Sequence, residues 1–475
     1  MSYQVPQHIS KDKIFIVNRS EIEGRLDPKM ALYNRRVQNW SYPKVRLKDL
    51  LLCKPQYGAA ESGITRTDIK SPRYIRITDI DEYGLISHND LGATANTIED
   101  QYILHDSDLL IARSGATVGK AYIHKECPYP CFFAGYLIRF VINTQKALPD
   151  YVFAFTQTNT YKEWVNAIQR PSGQPNINAE EYQSLEIPLP PPNIQNEIVS
   201  IIQTAYSEKK RKEFEAQQLL DSIDTYLLDE LGVSLPEVRT ELKDRVFLLN
   251  RSELEGRFDP TVYKDGIKLI SPKWDNEKLS KVAFVNPSGA YKGKVAETPI
   301  SFVPMEVIDE TFSEITTMDK TTIEQASGFT KFREGDLLWA KITPCMQNGK
   351  SAIAKNLTNG LGCGSTEFYI LRPKDERLAI EYLHVILHMK CVRETAMLYF
   401  GGSAGQQRVP ASFLENFNLP LPSKEKQLEI ANHVYALRQQ AKTLQEEGKR
   451  ILELAKQEVE RMIIGRKVID KEVLA

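Results

Sequence analysis

The tripeptide Pro188-Leu189-Pro190 leads into a long segment whose small or apolar residues recur in alternating steps of four and three. The same lead-in and the same frame return 232 residues later, after Pro420-Leu421-Pro422. A mean spacing of 3.5 residues is typical of a coiled coil, so the sequence predicts two long helices with one seam pattern. The predicted seam residues are Ile198, Ile202, Ala205, Ala216, Leu219, Ile223 and Tyr226 in the first helix, and Ile430, Val434, Leu437, Ala441, Leu444, Gly448 and Ile451 in the second.

Both predicted helices also have end signals. Asn193 and Ser423 can cap their first turns, and Gly232 and Gly465 follow their last turns. At about 1.5 Å of rise per residue each helix is expected to be roughly 60 Å long, which is more than a small domain needs to cover its core.

Other segments repeat at nearly the same offset. Asn18–Pro28 returns as Asn250–Pro260 with nine of eleven residues identical, and the Asp108-Leu-Leu segment returns as Asp336-Leu-Leu. The polar stretch that ends at Ile177 returns as one that ends at Val409. Because the ends of the copies match while their middles differ, the sequence indicates a tandem duplication with a constant frame and two divergent recognition inserts.

Each copy shows the same order of local signals. Short β patterns precede the Asp-Leu-Leu strand, and a glycine-rich turn and another strand follow it. A single helix is then expected at 151–168 in the first copy and at 380–399 in the second, before a polar loop and the proline lead-in. We therefore predict an α+β protein with two mixed α/β domains. The predicted boundaries are 1–192 for the first domain, 193–232 for the first long helix, 233–422 for the linker and second domain, and 423–475 for the second long helix and tail.

The bulk composition narrows the class of protein. Hydrophobic residues make up 42% and charged residues 26%, as in ordinary globular proteins. No apolar run approaches the ~18 residues that span a bilayer, and the polar N-terminus has no signal-peptide core, so a cytoplasmic location is expected. The six cysteines show no regular spacing and are interpreted as reduced thiols. A net charge of −1 gives no global basic footprint, so any phosphate contacts must come from local patches.

Several enzymatic functions can be excluded because the sequence lacks the motif residues that they require. A phosphate loop ending at Gly349-Lys350 would need a glycine where Pro344 stands, and proline has no N–H to offer a phosphate. No methyltransferase motif accompanies the Gly-Gly stretch at 401–402, and no catalytic triad or carboxylate pair has a distinctive spacing. These segments are therefore predicted to be turns and loops.

A metal site could be built from His384, His388 and Cys391, which share one face of a predicted helix. The matching helix of the first copy has no histidine or cysteine, so the shared fold does not require a metal. We expect the histidines to lie at the edge of a helix that packs through its leucines and isoleucine, and we predict no metal.

The repeated loops offer side chains that can read DNA. Glutamine and asparagine pair with adenine edges and arginine pairs with guanine edges, while nearby cations can hold phosphates. The candidate DNA-binding residues are Arg76, Arg113, Lys120, Arg170, Gln174 and Asn176 in the first copy, and Lys341, Lys350, Gln406, Gln407 and Arg408 in the second.

With these features together, the chain resembles the specificity subunit of type I DNA restriction–modification systems. The resemblance covers nearly the whole chain. It is carried by Arg25-Leu-Asp-Pro28 and its copy, by the Asp-Leu-Leu strands, and above all by the doubled pattern from Ser172 to Ile198. In one departure, Ile194-Gln195 and Lys426-Gln427 stand where family members often have Glu-Gln.

The resemblance implies two target recognition domains held apart by two helices that pack as an antiparallel coiled coil, with internal pseudo-two-fold symmetry. Each domain would read one half of a bipartite, asymmetric sequence in double-stranded DNA. The helices would dock two methyltransferase subunits, and two motor-nuclease subunits would complete the complex. S-adenosylmethionine, ATP and magnesium are expected on those partners, with no cofactor, metal or catalysis in this chain and no membrane partner.

Two alternatives remain at this stage. The chain could be a coiled-coil adaptor whose α/β domains bind proteins and do not read DNA, or it could be an enzyme acting alone. Sequence-specific DNA binding by the assembled complex distinguishes the first alternative, and methyl transfer by the purified chain would establish the second.

Overall fold

A computed structural model describes residues 28–37, 40–86, 91–169, 175–235, 259–402 and 406–464. The chain divides into two compact units. Unit 1 contains Met1–Arg211 and Glu447–Ala475, and unit 2 contains Lys212–Glu446. Most of the repeated box at 18–28 and 250–260 lies outside the described residues.

Unit 1 combines short strands with helices of varied length. Its described strands are β1 (Lys44–Arg46), β2 (Gln56–Tyr57), β3 (Ile64–Thr65), β4 (Arg73–Ile75), β5 (Ala93–Thr94), β6 (Leu109–Ala112), β7 (Ala121–Ile123), β8 (Cys131–Phe133), β9 (Leu137–Phe140) and β10 (Glu186–Pro188). Its described helices are α1 (Pro28–Arg36), α2 (Leu47–Leu50), α3 (Pro149–Thr156), α4 (Asn159–Ile168), α5 (Ala179–Gln183), the first half of α6 (Pro192–Leu231) and the second half of α12 (Lys424–Ile464).

Two four-stranded sheets form the body of unit 1. The inner sheet has the order β2-β9-β6-β7 and the outer sheet has the order β3-β5-β4-β8, while β1 and β10 pair separately. Strand β6 is buried on both faces: Leu109 and Ile111 pack toward the helices, and Leu110 and Ala112 pack toward the outer sheet. This double burial explains why the Asp-Leu-Leu segment reads as a continuous apolar run.

Unit 2 repeats this plan. Its described strands are β11 (Asp275–Lys278), β12 (Ala283–Val285), β13 (Pro299–Val303), β14 (Asp319–Thr322), β15 (Thr330–Arg333), β16 (Leu337–Ala340), β17 (Ser351–Ile353), β18 (Leu361–Gly364), β19 (Phe368–Pro373) and β20 (Asn418–Leu421). Its described helices are the second half of α6, α7 (Pro260–Asp265), α8 (Leu279–Val282), α9 (Ile380–His388), α10 (Lys390–Leu398), α11 (Ala411–Asn416) and the first half of α12 (Lys424–Ile464).

The sheets show which part of the repeat is constant. The inner sheet of unit 2, β12-β19-β16-β17, has the strand order of its counterpart in unit 1. The outer sheets differ, because unit 2 has the order β14-β13-β18-β15. Both outer sheets still contain one parallel pair, β4 with β8 and β13 with β18. A constant inner frame with divergent outer strands confirms the predicted pattern of repeat and insert.

One element prediction was wrong in both copies. Each single helix expected before the polar loop is two helices, α3 and α4 in unit 1 and α9 and α10 in unit 2. Thr158 has an extended backbone and its hydroxyl accepts from the N–H of Tyr161, so it caps a new helix instead of continuing the old one. Met389 breaks the second helix through its non-helical backbone alone, with a φ of −53°, a ψ of 138° and no hydrogen bond from its side chain to the next turn.

The long helices are confirmed, and each contributes one half to each unit. In unit 2 the ammonium of Lys426 lies 3.0 Å from a carboxylate oxygen of Glu230. The rings of Tyr226 and His433 are 4.3 Å apart, centroid to centroid. Residue numbers rise along α6 as they fall along α12, so the two halves in this unit are antiparallel.

The seam residues are buried as predicted over most of the pair. Unit 1 buries Ile198, Ile202 and Ala205 against the end of α12, and unit 2 buries Ile223 with Ile430 and Val434. Lys209, a polar seam position, is also buried, with its ammonium 4.4 Å from the centroid of the Tyr83 ring. A Cβ added to Gly448 would lie 3.4 Å from the Cα of Lys209, so the glycine permits a close approach of the two helices.

The seam departs from the predicted heptad positions in places. Leu219, Leu437, Leu444 and Ile451 are only partly buried. In α12 the fully buried positions near the end are Leu452, Ala455, Val459 and Ile463. A straight helix drifts by about 20° per heptad, so after three heptads the predicted position has turned about 60° away and the next residue lies nearer the seam. α12 therefore keeps the period of a straight α-helix, and not the heptad period of a supercoil, where it packs against unit 1.

The proline lead-ins are fixed by one pair of equivalent glutamines. The side-chain oxygen of Gln195 accepts from the N–H of Leu148 at 2.9 Å, and that of Gln427 accepts from the N–H of Ala379 at 2.8 Å. Both amide groups also donate to a proline carbonyl just before the helix. Each long helix is therefore tied to the helix that follows the inner sheet. The departure from the family pattern affects the residue before each glutamine and leaves this contact in place.

Within the described part of the chain, no helix combines the length and the apolar character needed to cross a bilayer.

Candidate nucleic-acid interface

The candidate loops lie beside the ends of two equivalent strands. Strand β6 ends at Ala112 and β16 ends at Ala340, and Arg113 and Lys341 come next. The N–H of Arg113 donates to the carbonyl of Tyr136 at 2.9 Å, and the N–H of Lys341 donates to that of Glu367 at 2.9 Å. Each unit therefore places one cationic residue at the end of the equivalent strand of its own inner sheet.

The polar loops run antiparallel to these strand ends. The N–H of Ile177 donates to the carbonyl of Arg113 at 2.8 Å, and the N–H of Val409 donates to that of Lys341 at 2.9 Å. Ile177 and Val409 are fully buried. Because alternate residues of an extended chain point to opposite sides, the neighbouring side chains Asn176 and Arg408 face outward.

In unit 2 the outward arginine is held by a carboxylate. Nε and Nη2 of Arg408 donate to the two carboxylate oxygens of Glu367 at 2.9 and 2.8 Å, and Nη1 donates to the carbonyl of Gln406 at 3.0 Å. The Arg408 guanidinium lowers the pKa of Glu367 by hydrogen bonding, and Glu367 in turn raises the pKa of Arg408. The fork is thus oriented before any ligand binds, with Gln406 exposed and Gln407 partly exposed beside it.

Unit 1 presents different chemistry at the same place. Asn176 is exposed and the Tyr136 side chain is 63% exposed. The Arg113 guanidinium lies 5.0 Å from the centroid of the Tyr57 ring. Where unit 2 has an arginine–glutamate pair, unit 1 therefore has an amide, an exposed phenol and a stacked guanidinium, which is the kind of difference that two unlike half-sites require.

Three predicted phosphate-binding residues have partners within the protein. The ammonium of Lys120 donates to the carbonyl of Ile80, and that of Lys350 donates to the carbonyl of Met305 at 3.2 Å. Both contacts join the glycine-rich turn to the outer part of the domain. Arg76 pairs with Asp79, with a shortest nitrogen–oxygen distance of 2.8 Å. A DNA-binding role for the three residues stays a prediction.

Two predicted residues, Arg170 and Gln174, lie outside the described residues. The structure also adds Tyr136 and Glu367, which the sequence did not single out. They lie next to the candidate loops because strands β9 and β19 pair with β6 and β16. Both precede their strand directly, but the two residue types share no pattern that would have marked them in the sequence.

The histidines considered for a metal site have structural partners instead. His384 is buried, not at the edge of its helix as expected, and its ring nitrogens lie 3.0 Å from the hydroxyl of Tyr435 and 3.2 Å from that of Ser351. His388 contacts the carbonyl of Glu310 at 3.3 Å. A different group, His124, Cys127 and Cys131, brings its potential ligand atoms within 4.8 Å of one another.

The burial of His384 predicts a pH-dependent stability for unit 2. Burial, assisted by the positive charge of Arg438, lowers the pKa of His384 to about 3. Between pH ~3 and ~6.5 the unfolded chain binds the extra proton, so stability should fall as the pH falls through this window, by at most about 1.4 kcal/mol per pH unit. Urea unfolding at pH 5, 6 and 7 measures this slope. The slope should decrease in His384→Gln, and an unchanged slope would contradict the assignment.

A comparison with known families decides the identity. The family model described as the type I restriction modification DNA specificity domain matches residues 74–217 and 274–453, more than half of the chain. The chain belongs to this family. Its two matched ranges fall on the two copies of the repeat, so each copy carries one specificity domain.

Two curated relatives in the specificity family come from Escherichia coli. The chain is 38% identical over 160 residues to the specificity subunit of the type I restriction enzyme EcoEI and 35% identical over 158 residues to that of EcoAI. Each alignment covers 33% of this chain and 26% of the relative, so the chain matches about a quarter of the length of these relatives. Both relatives are named as specificity subunits.

A solved chain supports the fold. It is described as the structural basis underlying complex assembly and conformational transition of the type I R-M system, and it is 16% identical with a TM-score of 0.51. The match covers 90% of this chain and 98% of that chain. At this identity the likeness shows that the two chains share a fold over most of their length.

Proposed function

We propose that the chain is the DNA sequence-recognition subunit of a type I restriction–modification complex, in which each unit binds one half of a bipartite, asymmetric target. One observation carries the proposal. Equivalent strand ends and loops present Arg113, Tyr136 and Asn176 in unit 1 but Lys341, Glu367 and Arg408 in unit 2. A constant support with different polar side chains is what two different half-sites demand.

The chemistry of two side chains supports a proposal for the bases that each unit contacts. An asparagine amide can donate to and accept from the major-groove edge of adenine, so we assign an adenine contact to Asn176. The arginine fork matches the two acceptors of guanine, so we assign a guanine contact to Arg408. Glu367 supports this role because it fixes the plane of the guanidinium, with both contacts at 2.9 Å or less.

The long helices provide the proposed contact with partner proteins. Their inner faces are occupied by the seam, while Phe214 on α6 is 63% exposed. An exposed aromatic side chain on a rigid helix is a typical anchor for a protein partner. We propose that these outer faces dock two methyltransferase subunits and that two motor-nuclease subunits join the complex. S-adenosylmethionine, ATP and magnesium would bind to those subunits. The complex would act in the cytoplasm. This chain itself would catalyse nothing.

The deciding experiment is a map of N6-methyladenine in the genome with and without this gene. One split motif should lose its methylation when the gene is removed, and it should return when the gene is restored. If no motif changes and the assembled complex shows no sequence-specific DNA binding, the chain is better explained as a coiled-coil adaptor for proteins.

Asn176→Ala tests the assignment to half-sites. We expect the assembled complex to bind its target roughly fivefold to twentyfold more weakly, since one bidentate base contact is lost. Discrimination should weaken in one half-site only, as measured with duplexes altered in either half. Asn166→Ala is the matched control, because Asn166 is an exposed asparagine of the same unit located on α4, away from the long helices. Equal weakening at both half-sites would contradict modular reading.

A further inference from the structure

Unit 1 contains a cluster of soft metal ligands away from the candidate DNA-binding loops. The Sγ atoms of Cys127 and Cys131 are 3.4 Å apart, and a ring nitrogen of His124 lies within 4.8 Å of both. His124 and Cys131 are buried and Cys127 is half-buried. His124 and Cys127 lie in the short connection between β7 and β8, and Cys131 begins β8, so the cluster is local in the sequence.

The backbone holds the two ends of this connection in place. The N–H of His124 donates to the carbonyl of Asp108 at 2.8 Å, and the carbonyl of His124 accepts from the N–H of Ser107 at 2.8 Å. The carbonyl of Cys131 accepts from the N–H of Leu104 at 2.8 Å. Two of the three ligands are therefore fixed by the sheet before any ion binds, which reduces the entropy cost of binding.

The spacing of the sulfurs suits a metal better than a disulfide. Zinc–sulfur bonds of about 2.3 Å at a tetrahedral angle place two sulfurs about 3.8 Å apart. A disulfide requires a separation of about 2.05 Å. The observed 3.4 Å is within about 0.4 Å of the first value and more than 1 Å from the second. Small side-chain movements are enough to accept the ion.

We propose that His124, Cys127 and Cys131 bind one zinc ion, with a water molecule as the fourth ligand. Zinc favours two thiolates and an imidazole in a tetrahedral arrangement. Binding converts Zn²⁺ and two thiols into a neutral zinc dithiolate and releases two protons. The sequence did not suggest this site, because the spacing of these three residues is not that of a familiar zinc motif.

The surroundings agree with a neutral complex. Burial raises the pKa of Cys131, while Arg73 and Arg66 act against that increase. Both arginines are fully buried. Both cations favour the thiolate form of Cys131, which is the form that binds zinc, and the neutral zinc dithiolate adds no positive charge beside them. Since the ion replaces two protons, zinc affinity should increase with pH.

The proposed ion would fix the connection that feeds the outer sheet of unit 1. Cys131 is the first residue of β8, which pairs in parallel with β4. The corresponding connection of unit 2, residues 354–360, contains no histidine or cysteine. There the carboxylate of Glu334 accepts from the N–H groups of Asn356 and Leu357 at 2.7 and 2.8 Å. The inference concerns unit 1 alone and is independent of the proposed DNA recognition.

The test is the metal content of the full chain purified without chelators and dialysed against zinc, measured by plasma mass spectrometry. We expect about one zinc per chain in the natural protein and less than about a tenth in Cys127→Ser, since loss of one of three protein ligands removes most of the affinity. Cys53→Ser is the matched control, because Cys53 is an exposed cysteine of the same unit. It should retain the full metal content.

Cobalt provides a second readout that needs no variant. The natural chain loaded with Co²⁺ should show a thiolate-to-cobalt charge-transfer band, which added zinc should abolish. A natural chain that takes up neither ion would overturn the proposal, as would equal zinc content in Cys127→Ser and the natural chain. A peptide in which Cys127 and Cys131 are joined by a disulfide, recovered from the chain isolated under reducing cytoplasmic conditions, would also overturn it.

Discussion

Replacing Ile430 with aspartate is expected to remove most of the stability of unit 2. Ile430 is fully buried and packs with Ile223 and Leu227 on the opposing half of α6. The change removes a large apolar side chain and places an unpaired carboxylate in the seam, which should cost more than about 4 kcal/mol. Since a domain of this size is stable by about 5–15 kcal/mol, partial unfolding at physiological temperature is expected.

Thermal unfolding followed by circular dichroism measures this effect. The first transition should move down by about 10 °C or more. Asn432→Asp is the matched control, since it adds the same carboxylate two residues away on an exposed face of α12 and should change stability by no more than about 0.5 kcal/mol. If the two variants melt alike, the seam does not contribute to stability in the way its burial indicates.

Arg408→Ala should weaken target binding by the assembled complex by roughly tenfold to a hundredfold, because a bidentate arginine–guanine contact discriminates strongly between bases. The loss should be confined to one half-site. Binding to duplexes that carry each base in turn at every target position, at fixed salt, identifies the affected position. Discrimination should disappear at one base pair.

A second arginine of unit 2 provides the control. Nε of Arg377 donates to Asp375 at 3.1 Å and Nη2 donates to the same carboxylate at 2.9 Å, so Arg377 has the same kind of partner outside the candidate loops. Arg377→Ala should leave DNA binding unchanged.

Glu367→Gln should reduce discrimination at the same base pair as Arg408→Ala, since the guanidinium of Arg408 loses its anionic partner. If Arg377→Ala and Arg408→Ala weaken binding equally, the effect is general electrostatics and not base reading.

Much of the frame could be predicted because it is encoded in local periodicity. The two long helices, the buried strands β6 and β16 and the position of both polar loops follow from repeated patterns in the sequence. The helix breaks at Thr158 and Met389 could not be predicted in this way, since the apolar periodicity continues across both positions. Each break depends on a single residue, a side-chain cap at Thr158 and an extended backbone at Met389.

The chemistry of the candidate site depends on contacts that periodicity does not contain. Tyr136 and Glu367 lie beside Arg113 and Lys341 only because sheet pairing joins residues more than twenty positions apart. His124, Cys127 and Cys131 converge because β7 and β8 fix the ends of one short connection. Neither arrangement has a signal in one sequence, whereas the amide and guanidinium of the polar loops were visible as side-chain types.

The division of the long helices between the units has a consequence for biosynthesis. Unit 1 takes residues from both sides of unit 2, so Ile198 and Ile202 leave the ribosome long before Leu452 and Val459, against which they pack. At about 5–20 residues per second, translation of the intervening stretch takes roughly 10–50 s. During that interval the apolar stripe on the first half of α6 is uncovered in the nascent chain. All the residues of unit 2 are synthesised before the last residues of unit 1. The nascent chain should need chaperones most until the second half of α12 has been translated.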